Sequence, residues 1–196
     1  MGRRSKRATR CVSCRMHSAL CVCDLIPSIA TRGHWILVQH PAEQLKTTNT
    51  GHLAARSIVG AQLCTVASRT EPPDPLPRLD QPAWVLFPSE GCAQPSELPA
   101  GATIVVPDGT WTQARKIIRT NAALKDLPRV GLPPEAQARW SLREETSANG
   151  MSTLDAVCWL LAALEGPAVA APLEELAEAM WSRTLQSRGA RPVAEP

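Results

Sequence analysis

The chain has 196 residues, of which 44% are hydrophobic and 20% charged, and its formal net charge is +3. This balance is typical of a folded protein with one substantial core, and it excludes a wholly disordered chain. The longest apolar run, at 156–164, has about half of the roughly 18 residues that cross a bilayer, and no apolar segment follows the basic N-terminus as in a secretory signal. We therefore expect a cytoplasmic protein that does not enter a membrane.

Basic residues and cysteines are concentrated at the N-terminus. Residues 1–15 lack acidic side chains, and their basic residues are Arg3, Arg4, Lys6, Arg7, Arg10 and Arg15. Cysteines follow with the spacing Cys11-x2-Cys14-x6-Cys21-x1-Cys23. Two close thiolate pairs can enclose one tetrahedral zinc ion and leave no open position. The pattern predicts a structural zinc knuckle; the alternatives are His17 as a ligand, free thiols in a tail, or a redox pair. A basic arm beside a knuckle favours phosphate contact over simple solvation.

Strands are predicted from short apolar runs bounded by turn residues. These runs lie at 34–40, 62–67, 83–87 and 102–106. A proline-rich connector at 71–77 separates the second run from the third, because proline is excluded from helix interiors and central strands. The run at 102–106 is the clearest strand, and it is broken by a Pro-Asp-Gly turn.

Helices are predicted from amphipathic spacing and start signals. They lie at 51–59, at about 111–120 with Thr110 as a cap, and from Ser152, which with Asp155 resembles a capping box before a nearly apolar, buried helix. A last helix carries a core-packing stripe of Leu173, Leu176, Ala177, Met180, Trp181 and Leu185. The order predicts an α/β domain at 29–196, with a largely parallel sheet and helices on both faces, preceded by a small arm-and-knuckle domain at 1–28.

The segment Asp108-Gly-Thr-Trp111 stands where a parallel strand leaves its sheet, the edge at which α/β proteins bind ligands. Two interpretations of Asp108 remain open here: it caps the following helix, or it takes part in chemistry. Trp111 likewise belongs either to the core or to a surface on which an adenine or a base stacks.

Two further polar segments suit ligand contact. Arg115 and Arg119 share a helix face, next to Lys116, and such a face is suited to phosphate contact or is merely solvated. The loop after the first predicted strand contains His40, Glu43, Lys46 and Asn49. The chain contains neither a Gly-x-Gly-x-x-Gly nor a Walker sequence, so these nucleotide fingerprints do not apply.

Taken in order, these segments resemble the DTW-domain family, whose signature stands here as Asp108-Gly-Thr-Trp111. The resemblance covers most of the chain. It includes the four-cysteine knuckle, His40-Pro-Ala-Glu43, Asn49-Thr50, Gln113-Ala-Arg-Lys116, Leu142-Arg143 and Ser152-Thr-Leu-Asp-Ala156. The sequence departs from the family's pattern at Asp155, where glutamate is expected, and at Trp140, where tyrosine is common.

The resemblance implies a tRNA-uridine aminocarboxypropyltransferase. Such an enzyme moves the 3-amino-3-carboxypropyl group of S-adenosylmethionine to N3 of a tRNA uridine, forming 3-(3-amino-3-carboxypropyl)uridine. It also implies a SPOUT-like fold with a C-terminal knot. Because N3 must lose a proton, Asp108 is the candidate general base, although positioning contributes as well. Zinc is then structural, and no protein partner is expected.

The resemblance also implies where the two substrates bind. The donor is expected against Phe87, Pro88, Ser89, Asp108, Gly109, Thr110, Trp111, Leu142, Ser152 and Thr153. Contacts with tRNA are expected from His40, Glu43, Lys46, Asn49, Arg115, Lys116, Arg119 and Arg143. The alternatives are a SPOUT-like RNA methyltransferase, which presents the methyl group of the same donor, and a zinc-containing RNA-binding protein without catalysis.

Overall fold

The computed structural model describes residues 10–68, 72–79, 82–139 and 151–187. Within these ranges the chain forms one sheet of five strands: β1 (His34–Gln39), β2 (Gln62–Thr65), β3 (Ala83–Leu86), β4 (Thr103–Asp108) and β5 (Arg129–Val130). Neighbouring strands are parallel, and their order across the sheet is β2-β1-β4-β3-β5. The central strand β4 therefore ends beside β1, with Asp108 paired to Gln39.

Helices cover both faces of this sheet, as predicted. The helices of the described part are α1 (Gly51–Ser57), α2 (Trp111–Thr120), α3 (Thr153–Glu165) and α4 (Pro167–Ser187). Strand side chains alternate between the faces: Leu37 and Ile104 pack in a core cluster with α1, α3 and α4, whereas Val38 and Val105 pack with α2. Each fully buried aliphatic side chain contributes about 1.5 to 3 kcal/mol, so the strands are held from both sides.

The observed bounds differ from the predicted ones in several elements. β4 continues through Pro107 to Asp108, so the prediction that the Pro-Asp-Gly turn ends this strand at residue 106 is wrong. The first helix ends at Ser57 instead of near residue 59. The last helix begins at Pro167, a residue well suited to the first turn, directly after Gly166 has ended α3 with a φ of 99°. The two-residue strand β5 was not predicted, because it is too short to show a periodic pattern.

A proline in a central strand requires explanation, and Pro107 in β4 has one. β4 pairs with β3 only as far as Val105, whereas its pairing with β1 continues to Asp108. Pro107 lies beyond the last residue of β4 that pairs with β3, so its missing N–H removes no hydrogen bond between these two strands. The strand can therefore extend past its neighbour and carry Asp108 to the edge of the sheet.

The cysteine-rich segment packs against the α/β core. Cys14, Met16 and Val22 are buried in the same cluster as α3 and α4. The Thr184 hydroxyl donates to the Met16 sulfur at 3.7 Å, and Arg183 donates to the Cys21 carbonyl. The division into domains at 1–28 and 29–196 remains a prediction, but the two parts share one hydrophobic core.

Several predictions lie outside the described residues. The chain between β5 and α3 passes through 140–150, which contains Leu142 and Arg143, so their predicted contacts and the C-terminal knot stay predictions. Most of the basic arm, at 1–9, lies outside as well. None of the described helices is long and apolar enough to span a bilayer.

Candidate active site

The Asp108 carboxylate is the centre of a buried hydrogen-bond network at the carboxyl end of β4. Among the described residues, three side chains donate to it: Gln39 Nε2 and Asn49 Nδ2 to Oδ2, at 2.8 and 2.7 Å, and Thr153 Oγ1 to Oδ1, at 2.6 Å. Asp108 is 1% exposed. Charge-assisted bonds of this kind are short and strong, so the carboxylate fixes three chain segments relative to one another.

The Asp108 side chain points away from the helix that follows it. Thr110 caps that helix: its hydroxyl accepts from Gln113 N at 3.4 Å, while Gln113 Oε1 accepts from Thr110 N at 2.7 Å. The prediction that Thr110 begins α2 is confirmed, and the interpretation of Asp108 as the cap is wrong. The Asp108 carboxylate is therefore available to organise the sheet edge.

Two glycines allow the chain to approach this network closely. A Cβ on Gly51 would lie 2.4 Å from Asp108 Cγ, and one on Gly109 would lie 2.9 Å from the Gln113 side chain. Both distances are shorter than van der Waals contact. These positions therefore require glycine for space.

Asn49 links Asp108 to a second buried polar side chain, His52. Asn49 Oδ1 accepts from Gln39 Nε2 at 3.0 Å and lies 3.3 Å from His52 Nδ1, which places the imidazole proton on Nδ1. Burial and, to a smaller extent, the charge of Arg15 lower the pKa of His52 to about 4. His52 is therefore neutral at neutral pH and supports the network as a donor.

The start of α3 closes the site from a third side. The Ser152 hydroxyl accepts from Asp155 N at 3.1 Å and so caps α3. In a full capping box the Asp155 carboxylate would also accept from the Ser152 backbone. Here the buried carboxylate instead accepts from Arg139 N at 2.8 Å and pairs with the Arg139 guanidinium at 3.4 Å. The start of α3 also reaches α1, since Leu154 N donates to Thr50 Oγ1 at 3.1 Å.

The aromatic residues predicted to meet the donor lie together. Phe87, after β3, and Trp111, at the start of α2, pack edge to face with ring centroids 5.3 Å apart. Both rings are partly exposed. Ser89 lies farther along the same loop, at a polar groove of about 460 Å³ formed by 89–93, Glu97 and 127–129.

The polar loop after β1 contributes a group of charges. Lys46 Nζ pairs with the buried carboxylate of Glu43 at 2.6 Å. Burial lowers the pKa of His40, as do the nearby charges of Lys116 and Lys46. His40 is therefore neutral at neutral pH, and the charges of Lys46 and Lys116 lie near it.

The residues predicted to bind RNA divide into two kinds. Arg115, Lys116, Arg119 and Lys46 are exposed, and His40 is half-buried. Asn49 and Glu43 are buried, at 3% and 0% exposure, and bond within the protein. Their RNA contacts remain predictions, but the two buried groups have an evident structural role.

The four predicted zinc ligands converge. The sulfurs of Cys11, Cys14, Cys21 and Cys23 all lie within 4.8 Å of one another, with 3.6 Å between Cys11 and Cys23 and 3.5 Å between Cys14 and Cys21. A tetrahedral zinc ion with bonds of about 2.3 Å places its sulfurs about 3.8 Å apart, so this donor set fits zinc. Hydrogen bonds from the Cys14 and Ser13 backbones lower the pKa of Cys11 to about 6, which favours the thiolate.

Sequence reasoning missed Gln39, Gly51, His52 and Arg15. Gln39 offered a weak signal, as a polar residue that closes an apolar strand. Gly51 at a helix start and His52 among apolar residues are common without a functional role. Arg15 was recognised only as one charge of the basic arm.

Comparisons with known proteins identify the family of this chain. A family model described as the DTW domain matches residues 8–185. Three curated proteins named tRNA-uridine aminocarboxypropyltransferase 2 are similar to the chain. The protein from Macaca fascicularis is 25% identical over 173 residues, which are 82% of this chain and 58% of that protein. The protein from Drosophila melanogaster is 26% identical over 170 residues, which are 81% of this chain and 68% of that protein. The protein from Mus musculus is 23% identical over 173 residues, which are 82% of this chain and 58% of that protein. The chain thus spans about three fifths to two thirds of the length of these relatives. No solved structure matches it.

Proposed function

This chain belongs to the DTW-domain family, and we propose that it is a tRNA-uridine aminocarboxypropyltransferase with S-adenosylmethionine as its donor. The acceptor is N3 of a tRNA uridine, and the product is 3-(3-amino-3-carboxypropyl)uridine. The observation that carries the proposal is the buried Asp108 network at the carboxyl end of β4, which joins the DTW segment to Asn49 and Thr153, in two other segments of the family resemblance. The names of the similar proteins support the same reaction.

In the proposed reaction, N3 of the uridine attacks the γ-carbon of the aminocarboxypropyl chain. The N3–C bond forms as the C–S bond breaks, and the bonding electrons return to sulfur. The sulfonium leaves as a neutral thioether, 5′-methylthioadenosine, and the N3 proton passes to a base or to water. Since the sulfonium is a good leaving group, alignment of N3, carbon and sulfur contributes much of the rate.

Asp108 suits the alignment part of this reaction. Its oxygens already accept bonds from Gln39, Asn49 and Thr153, and the side chain is almost fully buried. We therefore propose that Asp108 is a positioning residue. The general-base role predicted from the sequence is the competing proposal, and it requires Asp108 to accept the N3 proton directly.

The surrounding residues suit the two substrates. Phe87 and Trp111 offer partly exposed aromatic surface on which an adenine can stack, close to the Asp108 turn. Arg115, Lys116 and Arg119 are exposed on α2, which starts at the same edge of the sheet, and suit tRNA phosphates. Zinc, held by the four cysteines, closes its coordination shell with protein ligands and is structural.

The deciding experiment is mass spectrometry of nucleosides from unmodified tRNA incubated with the zinc-loaded protein and S-adenosylmethionine. We expect uridine to gain the mass of one aminocarboxypropyl group in place of a hydrogen, with release of 5′-methylthioadenosine. A gain of one methylene unit would identify a methyltransferase instead. Binding of several tRNAs without any donor-dependent gain would favour the non-catalytic RNA-binding protein.

Asp108→Asn tests the central residue. The asparagine can keep the bonds from Gln39 and Asn49 through its oxygen and donate to the Thr153 hydroxyl, so we expect a loss of only about 1 to 2 kcal/mol in unfolding free energy. We expect kcat to fall about 100-fold or more because the alignment is disturbed. Urea unfolding and single-turnover kinetics measure the two effects.

The pH profile separates the two roles of Asp108. A positioning residue lowers the rate at every pH, whereas loss of a general base also removes the corresponding titrating limb of the profile. Asp126→Asn, a charge-matched change at an exposed position, is the control and should leave the rate unchanged. Full activity in Asp108→Asn would remove Asp108 from the mechanism.

A further inference from the structure

Arg15 has an unusual backbone in the knuckle. Its φ of 63° is the only positive value among the described non-glycine residues. The conformation is fixed on both sides, because Arg15 N donates to Cys11 O and Cys11 N donates to Met16 O, both at 2.9 Å. Left-handed conformations of non-glycine residues occur often at functional sites, where the surrounding structure holds them. The knuckle thus sets the direction of the Arg15 side chain.

That side chain reaches the candidate active site. Arg15 Nη1 donates to the carbonyl of Glu43, in the loop after β1, at 3.4 Å. Glu43 belongs to the same loop as Asn49, which donates to Asp108, and the charge of Arg15 adds to burial in lowering the pKa of His52, the neighbour of Asn49. The zinc knuckle therefore places a positive charge beside the Asp108 network.

Among the described residues, most of the donors of this guanidinium are not engaged. A guanidinium carries five N–H groups, and the one side-chain hydrogen bond of Arg15 within these ranges is the long one to the Glu43 carbonyl. Asp108 already accepts from Gln39, Asn49 and Thr153, so its oxygens are largely engaged. A half-buried guanidinium with unused donors at a ligand-binding edge suits a second, external carboxylate.

We propose that Arg15 binds the α-carboxylate of the donor's aminocarboxypropyl chain. This inference rests on the proposed function, and in it the zinc knuckle fixes the orientation of the Arg15 side chain. A planar guanidinium holds a carboxylate through two parallel hydrogen bonds, which fixes its orientation as well as its position. The γ-carbon follows two bonds beyond the α-carbon, so fixing the carboxylate restricts where the reacting carbon can lie. Arg15 thereby favours transfer of this chain over transfer of the methyl group.

The test compares two donors by isothermal titration calorimetry on the full-length, zinc-loaded protein. S-adenosylmethionine carries the carboxylate, and decarboxylated S-adenosylmethionine lacks it. We expect the wild type to bind the carboxylated donor about 10- to 100-fold more tightly, the range of a charge-assisted pair. In Arg15→Gln this preference should disappear while affinity for the decarboxylated donor is unchanged.

Two companion variants separate binding from structure. Arg15→Gly relieves the left-handed backbone, so its thermal midpoint should be equal to or above that of the wild type although its preference for the carboxylate is lost. A purely structural arginine would instead lower the midpoint. Arg56→Gln removes one exposed charge from α1 and should keep the preference; zinc content is measured for every variant.

Each other outcome contradicts the proposal in a different way. Equal affinity of the wild type for both donors, with transfer to tRNA intact, overturns the role of Arg15 and leaves the proposed function standing. An unchanged preference in Arg15→Gln, with weaker tRNA binding, makes tRNA phosphate the ligand and overturns it too. Absence of both donor binding and transfer in the wild type overturns the proposed function, and this inference with it.

Discussion

Gly51 shows at the scale of single residues how tightly the Asp108 carboxylate is enclosed. A Cβ at this position would lie 2.4 Å from Asp108 Cγ and 2.5 Å from Oδ2. Oδ2 is the oxygen that accepts from Gln39 and Asn49. Any side chain at Gly51 therefore moves the carboxylate away from these two donors.

Gly51→Ala is predicted to impair catalysis through this displacement. Alanine would ordinarily stabilise a helix by about 1 kcal/mol relative to glycine, but the overlap should reverse this and destabilise the protein by about 1 to 3 kcal/mol. A shift of the reacting groups by about 1 Å costs about 100-fold in rate, and we expect kcat/KM for nucleoside formation to fall by that order. Arg56→Ala, at an exposed position of α1, is the control. Wild-type rates in Gly51→Ala would show that the position of the carboxylate does not limit the reaction.

The side chains around Asp108 also show which roles a sequence reveals. Asp108, Asn49 and Thr153 stand in recognisable segments and were singled out, but their mutual bonds were not foreseen. Gln39 is 69 positions from Asp108 and was overlooked. Its role depends on the parallel register of β1 with β4, which brings the two strand ends together. Such a pairing is set by the whole sheet and is not visible in either strand alone.

At the scale of elements, α2 joins the DTW segment to the basic surface. Thr110 begins the helix at the carboxyl edge of the sheet, and Ile117 and Ile118 bury its inner face. Arg115 and Arg119 are left on the exposed side. The exposure of these residues followed from helical periodicity, which is why the basic face could be predicted.

Replacing Arg115 and Arg119 by alanine is predicted to weaken tRNA binding in a salt-dependent way. Each lost phosphate contact removes about 0.7 to 0.9 from the slope of log K against log salt, so the slope should become shallower by between about 1 and 2. Fluorescence anisotropy with tRNA over a range of salt concentrations measures this slope. A matched double variant, Arg32→Ala with Lys125→Ala, removes the same charge at exposed positions near the amino ends of β1 and β5 and should keep the slope. If both double variants behave alike, α2 is not the tRNA surface.

At the start of α3 the sequence predicts the Ser152 cap but not the partner of Asp155. Ser152 caps the helix as predicted, whereas the Asp155 carboxylate turns to Arg139. Arg139 also pairs with Glu174 at 2.8 Å and lies over the ring of Trp159 at 4.4 Å. Arg139 thus ties the segment before residue 140 to both C-terminal helices, to α3 through Asp155 and to α4 through Glu174. Sequence spacing identified the cap, but only the packing of three elements shows the partner of Asp155.

At the scale of the whole molecule, the knuckle and the α/β sheet form one unit. The cysteine spacing predicted the convergence of the four sulfurs correctly because the pattern is local, and their role as zinc ligands stays a prediction. It did not predict that Cys14, Met16 and Val22 enter the main core, or that the Arg15 side chain bonds to the Glu43 carbonyl in the loop after β1. The core contacts involve α4, which bonds to Met16 and to the Cys21 carbonyl. The fold class, by contrast, followed from the alternation of strands and helices.

Loss of the proposed zinc ion is predicted to affect both the stability of the protein and the candidate active site, because the knuckle packs into the core and positions Arg15. Removal of zinc by a chelator, or Cys14→Ala, should remove the bonds that hold the cysteine sulfurs together and release Met16 and Val22 from the core. We expect the free energy of unfolding to fall by about 4 kcal/mol or more. Metal analysis and thermal unfolding measure the change, and Cys92→Ser, outside the cluster, should retain one zinc per chain. At a temperature where the metal-depleted protein is still folded, it should bind both donors with similar affinity, as we expect of Arg15→Gln, because Arg15 is no longer held beside the Asp108 network. A depleted protein with full stability and an intact preference for the carboxylated donor would show that the cluster and the active site are independent.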